Sequence, residues 1–223
     1  MSNKSNTKEK ILMAALQSFL SIGIDQTSLS QVAETIGIKK PSIYYHFKSK
    51  EAIITQCVDN LLDDLEQRID LSLASQTHPR AQIEALYECI LDFHSGLSLL
   101  VYGNHNQPVN LHSFFQSGAL VHSTIKQRIE NYYHTLQVKL TTILSNGQKQ
   151  GLINYTLSKE LVSIDLISRI EGMIILSALY SNAHIHLQRH GLYETVWDSL
   201  KSEQGPKKKR LLDYKSIDLG RKW

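Results

Sequence analysis

The chain has 223 residues, 42% of them hydrophobic, and a formal net charge of +3. That apolar share can fill a core, which excludes wholesale disorder, and the length allows one large or two small domains. The longest uninterrupted apolar run, residues 11–16, falls far short of the roughly 20 residues of a membrane span, and residues 1–10 are too polar for a secretion signal, so the reading is cytoplasmic with no membrane partner.

Charge is unevenly distributed. Residues 1–50 carry a net +4, residues 51–200 a net −6, and residues 201–223 a net +5. A basic head on an acidic body suggests a polyanionic partner for the head, with nucleic acid the obvious candidate. Two cysteines, Cys57 and Cys89, make no disulfide framework and suit a reducing compartment.

Helical periodicity dominates, with no sustained strand-like alternation, so the fold class is all-α. Ile11, Leu12, Ala15, Leu16, Phe19 and Leu20 form one stripe, and Gly23 stops that helix. Leu29, Val32, Ala33 and Ile36 make a short second helix ending at Gly37. Pro41 opens a third over residues 41–46, and Ser49 caps a long fourth running to Ala74. Pro79 opens a fifth with Ile83, Leu86, Tyr87, Ile90, His94, Leu97 and Val101 inward, followed by a loop over residues 103–108. A short sixth helix is expected over residues 111–116 and a long seventh over 121–150. An eighth, capped by Ser158, runs to Tyr180, and a last spans residues 190–202 with Tyr193, Val196, Trp197 and Leu200 inward. Beyond Gly205 and Pro206 the chain is basic. Its Pro206–Arg210 run resembles a nuclear-import signal but reads as a solvated tail with weak phosphate contacts.

The informative stretch is residues 27–51. Ala33 is small where two short helices must cross, Gly37 permits a positive φ in the turn, and Ile43 plugs the second helix onto the first. Ser28 and Gln31 have capping-box spacing. The second helix and its flank offer Lys39, Lys40, Ser42, Tyr44, Tyr45, His46, Lys48 and Lys50, a concentration of cations, hydroxyls and planar rings suited to phosphates and base edges. Together these specify a helix-turn-helix aimed at DNA.

Residues 7–51 closely resemble the DNA-binding domain of the TetR family. The resemblance is carried by Ile-Leu-x-Ala-Ala-x-x-x-Phe-x-x-x-Gly at residues 11–23 and by Ile-Tyr-Tyr-His-Phe-Lys-Ser-Lys-Glu at residues 43–51. The rest matches in helix layout and in a weak Gly-Gln-Lys-Gln-Gly-Leu echo at residues 147–152. The resemblance implies a homodimer that binds a palindromic double-stranded operator, usually as a repressor released by a small molecule. By position, Ser28, Ser30, Lys40, Pro41, Ser42 and Tyr44 would reach bases or nearby sugar-phosphate. Tyr45, His46, Lys48 and Lys50 would hold phosphates, with Ile43 and Phe47 in the core. Lys39 and Lys40 sit where the family varies most, so no target sequence follows from them. The implied organisation is a three-helix DNA-binding domain over residues 1–50, a helical ligand-binding and dimerisation bundle over 51–204, and a basic tail over 205–223.

The second half carries no motif of equal specificity. The eighth helix is apolar almost all round, from Leu161 to Leu179, which implies burial on more than one side. Ser168 and Gly172 would allow close approach of a second subunit, and with the last helix this resembles the family's four-helix dimer interface. An effector pocket is expected between the fifth, seventh and eighth helices. His94 is its first candidate, with Phe93, Tyr102, Phe114, Phe115, Tyr132, Tyr133 and Glu171 as neighbours; each could equally be a satisfied core residue. The ten histidines, His184, His186 and His190 among them, show no diagnostic metal spacing, and no catalytic motif is present. The expectation is therefore a regulator with no metal, cofactor or enzymatic activity. The alternative left open is a DNA-binding activator or chromosome-organising protein without an effector ligand.

Overall fold

A computed structural model describes residues 2–103, 109, 111–154, 156–179 and 185–202. The expected loop at 104–108, His184 and the basic tail at 205–223 lie outside the described residues, as does the side chain of His186. The described chain forms α1 (Ser2–Ile22), α2 (Leu29–Thr35), α3 (Lys40–His46), α4 (Lys50–Ala74), α5 (Pro79–Tyr102), α6 (Leu111–Val121), α7 (Ser123–Lys149), α8 (Lys159–Leu179) and α9 (Ile185–Leu200).

The first three helices assemble as their sequence demands. Ile11, Ala15 and Phe19 on α1, Val32 and Ala33 on α2 and Ile43 on α3 are all buried. The Ser28 hydroxyl accepts the Gln31 amide while the Gln31 side chain accepts from the Ser28 amide, so the capping box forms as read. Gly37 takes φ +70, which turns the chain from α2 into α3 without Cβ strain. Phe47, 6% exposed, closes this small core.

These helices are not a separate bead. Their apolar side chains and those of the body belong to one continuous buried cluster. Phe19 of α1 stacks on Phe114 of α6, with ring centroids 5.9 Å apart and planes at 16°. α4 leads from the recognition segment into the body and is tied to α7 by ion pairs. Arg128 donates to Asp63 and Glu66 at 2.8 Å each, and Lys139 pairs with Asp70.

Two helices differ from the sequence expectation. α6 runs five residues past Gln116, because Gly118 packs its backbone against Ile125 of α7 and makes the extra turns productive. α9 begins at Ile185 rather than His190, and its second turn is held on α5 by Arg189, which donates to Glu88 and Asp92 at 2.6 Å each. Where α7 turns toward α8, a Cβ at Gly147 would stand 2.5 Å from Ile153 Cδ1. That close approach lets the segment after α7 lie against the end of α9, where Asn154 donates to the Leu200 carbonyl.

Candidate DNA interface and effector site

α3 has seven residues, too few to be a stable helix alone. It is held by Ile43 beneath it and by Pro41, whose fixed φ suits the first turn. This leaves its outer face exposed. Lys39, Lys40, Pro41, Ser42, Tyr44, Tyr45 and Lys48 are exposed, Tyr45 at 66%, and His46 is half-buried with its ring edge-on to Tyr45. Ser30 is exposed on α2 beside them. Leaving two tyrosines in water is costly for a head with no partner, and the neighbouring lysines supply the charge that phosphates require.

Two predicted contacts already have structural employment. Ser28 spends its acceptor on the α2 cap. The Lys50 ammonium donates to the Ile24 carbonyl at 2.5 Å, so it ties the start of α4 to the loop between α1 and α2. The sequence reading missed Lys8. It is exposed on α1 with its ammonium 5.5 Å from the Phe47 ring centroid, which places a further cation beside the end of α3. Its signal was the lysine spacing before Ile11.

In the body, the structure brings together a polar cluster where the effector site was expected, with one residue added. Glu171 of α8 accepts the Tyr133 hydroxyl of α7 at 3.0 Å on Oε1 and the His112 imidazole of α6 at 2.5 Å on Oε2. His94 of α5 faces His112 with near-parallel rings, 6.4 Å apart, and meets Phe93 edge-on. Tyr132 is buried and packs edge-on to Tyr133. Phe115 is half-buried one turn on from His112. Phe114 and Tyr102 stand differently. Phe114 faces Phe19 and lines a cavity of about 220 Å³ with Ser21, Ile24, Ser113 and Ser117. Tyr102 is half-buried at the end of α5, packed against the core. A second opening, a groove of about 390 Å³ between α7 and α8, has Tyr133, Gln137 and Ile164 in its wall.

The environment sets the two imidazoles apart. Crowding by protein pushes His94 down to about 4, with the Glu171 charge only partly opposing, so it is neutral at physiological pH. Hydrogen bonding to Glu171 raises His112 instead. Unfolded, each would titrate near 6.5. The unfolded chain therefore binds a proton that the native His94 site refuses, and stability falls as pH drops from about 6.5 toward 4, by up to about 1.4 kcal/mol per unit. The His112 contribution has the opposite sign, being complete below about 6.5 and lost as pH rises through its raised value. His94→Gln is expected to flatten the acid limb of a urea-unfolding series between pH 4.5 and 7; an unchanged slope would mean that His94 is not the group responsible.

The surface of α8 completes the picture. Leu161 and Ile164 are 70% and 51% exposed, and they line up with Ser168 and Ile175 along one side of the helix. Gly172 lies in the same row, with nothing within 4 Å of a Cβ built there. On α9 the outward positions Gly191, Thr195 and Ser199 are small. Among the described residues there is no group of three or more metal-ligating side chains and no helix long and apolar enough to cross a membrane.

Comparison with known proteins agrees with this layout. The family model described as bacterial regulatory proteins, tetR family, matches residues 11–57. The negative transcriptional regulator IcaR of the biofilm operon icaADBC in Staphylococcus aureus is 37% identical over 86 residues, 39% of this chain and 45% of that protein. The transcriptional repressor KstR2 of Rhodococcus jostii is 33% identical over 102 residues, 44% of this chain and 50% of that protein. The chain thus matches about half the length of these curated relatives. The fold extends further: the ketosteroid transcriptional regulator KstR2 of Mycobacterium tuberculosis superposes with a TM-score of 0.68 at 17% identity, covering 88% of this chain and 96% of that one. A TetR regulator from Chloroflexus aurantiacus gives 0.70 at 18%, covering 90% and 99%. The chain therefore carries a helix-turn-helix domain of the tetR family at residues 11–57, followed by the same helical architecture as these solved regulators.

Proposed function

We propose that the chain is a cytoplasmic transcriptional repressor that binds a palindromic DNA operator as a homodimer and leaves it when a small molecule occupies the body. The observation that carries this reading is the outer face of α3, where Lys39, Lys40, Ser42, Tyr44, Tyr45 and Lys48 are exposed on a helix fixed from below by Ile43. Lys40, Ser42 and Tyr44 enter the major groove together with Ser30, and Tyr45, His46, Lys48 and Lys8 bind the flanking phosphates. Pro41 sets the first turn of the reading helix, and Ser28 and Lys50 act chiefly by holding the head in shape. Residues 1–50 read DNA, and residues 51–204 sense and pair.

The apolar row on α8 and the small residues of α9 support a four-helix interface with a second copy. Two heads then face DNA about one helical turn, or a multiple of it, apart. Occupation of the Glu171 cluster alters the seating of α4 and α6, changes the spacing of the heads and so releases the operator. The named repressors among the relatives favour this sign of regulation over an activator or a chromosome-organising protein.

Selection of bound duplexes from a random DNA pool with purified protein at near-physiological salt tests the reading. A palindrome is expected, with its affinity reduced at least about tenfold in Tyr45→Ala. Recovery of no preferred sequence, with affinity collapsing as salt rises, would replace it with non-specific phosphate binding.

A further inference from the structure

The Glu171 cluster has a chemical asymmetry that narrows what it can hold, given the reading above that it is the effector site. Among the described residues, the only basic side chain within 4 Å of the Glu171 carboxylate is His112, which carries charge only when protonated. No described lysine or arginine is committed to Glu171, and the other polar groups of the described cluster are neutral: Tyr133 from α7, Tyr132 beside it, and His94 from α5. The site therefore holds one carboxylate whose counter-ion is intermittent.

Two of the neutral groups have unused hydrogen-bonding capacity. Tyr132 is 4% exposed, yet among the described residues no hydrogen bond reaches its hydroxyl. The His94 imidazole likewise has no hydrogen-bond partner there, although its backbone carbonyl is engaged by Ser98. Both groups are therefore able to take a hydrogen bond from a bound molecule. A neutral imidazole and a phenol both accept a hydrogen bond from an N–H donor, and the faces of Tyr132, Phe93 and Phe115 supply apolar and π surface.

We propose that this cluster binds an apolar organic monocation carrying a protonated amine, which takes the place of the His112 imidazole on Glu171. The ammonium pairs with Oε2 of Glu171 and donates to His94 and Tyr132, while its apolar body lies against Phe93, Tyr132 and Phe115. An organic anion meets Glu171 with like charge and is rejected; a neutral alcohol satisfies His94 and Tyr132 but gains nothing from the carboxylate. Because the amine and the His112 proton compete for the same oxygen, amine affinity rises with pH through the titration of His112. Neither Tyr132 nor Tyr133 ionises in that range, since burial and the Glu171 charge push both up.

The test is calorimetric titration of the full chain, without DNA, against three probes of similar shape: 4-phenylbutylamine, 4-phenylbutanol and 4-phenylbutanoate. The amine is expected to bind at least about tenfold more tightly than the alcohol, with the acid weakest, and more tightly at pH 8 than at pH 6. Glu171→Gln keeps an acceptor for Tyr133 and should bring the amine down to the level of the alcohol. His112→Ala should preserve or strengthen amine binding, since it removes the competitor. Parity of the alcohol or acid with the amine, amine binding indifferent to Glu171→Gln, or no amine binding at millimolar concentration would each overturn the assignment. Operator binding measured on the same samples without ligand reads the repressor function separately, so either idea can fail alone.

Discussion

Ile164→Glu is expected to convert the proposed dimer into a monomer and to lower operator affinity at least about a hundredfold. In a two-fold interface the same patch serves both subunits, so one substitution installs two carboxylates in one contact. Ile164 is half exposed in the single chain and belongs to the row with Leu161, Ser168 and Ile175, where a partner helix would cover it. Burying a carboxylate there without a cation costs several kcal/mol, of the order that a stable interface of this kind supplies. Each free head then binds one half-site with only its own phosphate and base contacts. Sedimentation velocity gives the mass and gel shift with the selected duplex gives the affinity. A variant that stays dimeric at micromolar concentration would move the interface to another face. The thermal stability of each subunit should change little, because Ile164 is not part of the folded core.

Ile43→Ala acts at the other end of the molecule and by a different mechanism. Ile43 is fully buried under a seven-residue helix whose other large side chains point outward. Removing its branched side chain forfeits about 2–5 kcal/mol of packing and leaves a cavity that only a shift of α3 can close. A helix this short has no stability of its own to offset that loss. The expected result is early hydrogen exchange and proteolysis confined to the first three helices, with operator binding abolished while α5–α9 remain folded. Ile43→Val, costing only about 0.5–1.5 kcal/mol, should retain binding. Equal protection of α3 in wild type and Ile43→Ala would show that the head is held chiefly by Phe47 and the body instead.

The head was legible because its signals are local. Pro41 marks a helix start, Ser28 with Gln31 writes a cap, Gly37 marks a turn, and all lie within fifteen residues. The body was legible as helices for the same reason, through periodicity. Its ends were read less well where tertiary contacts decide them. The sequence expectation ended α6 at Gln116, short of Gly118, which is a packing surface for Ile125, and Arg189, rather than any cap, secures the beginning of α9 on α5. The effector cluster was half legible. His94 falls on the inward stripe of the fifth helix and Tyr133 on or beside that of the seventh, and both were named from them, whereas Glu171 was named only as a neighbour. His112 lies on a short helix whose orientation the sequence does not fix, and nothing in its neighbourhood marks it as the partner of a glutamate 59 positions away. Phe114 was named with Phe115 as a neighbour of the effector group, but successive residues of a helix point about 100° apart, and Phe114 turns to Phe19.

The uncovered row on α8 has a consequence for how such a protein would behave in a cell. A chain that reads its operator only as a pair has an occupancy set by two equilibria in series, pairing and then docking. Below the concentration at which pairs form, the number of competent readers falls with the square of the number of chains, so a tenfold dilution removes about a hundredfold of them. A halving of the chain's concentration, as when its synthesis slows while the cell grows, would reach the operator as roughly a fourfold loss of readers in that regime. Leu161, Ile164, Gly172 and Ile175 would then set the copy number below which a promoter escapes control, long before any effector arrives.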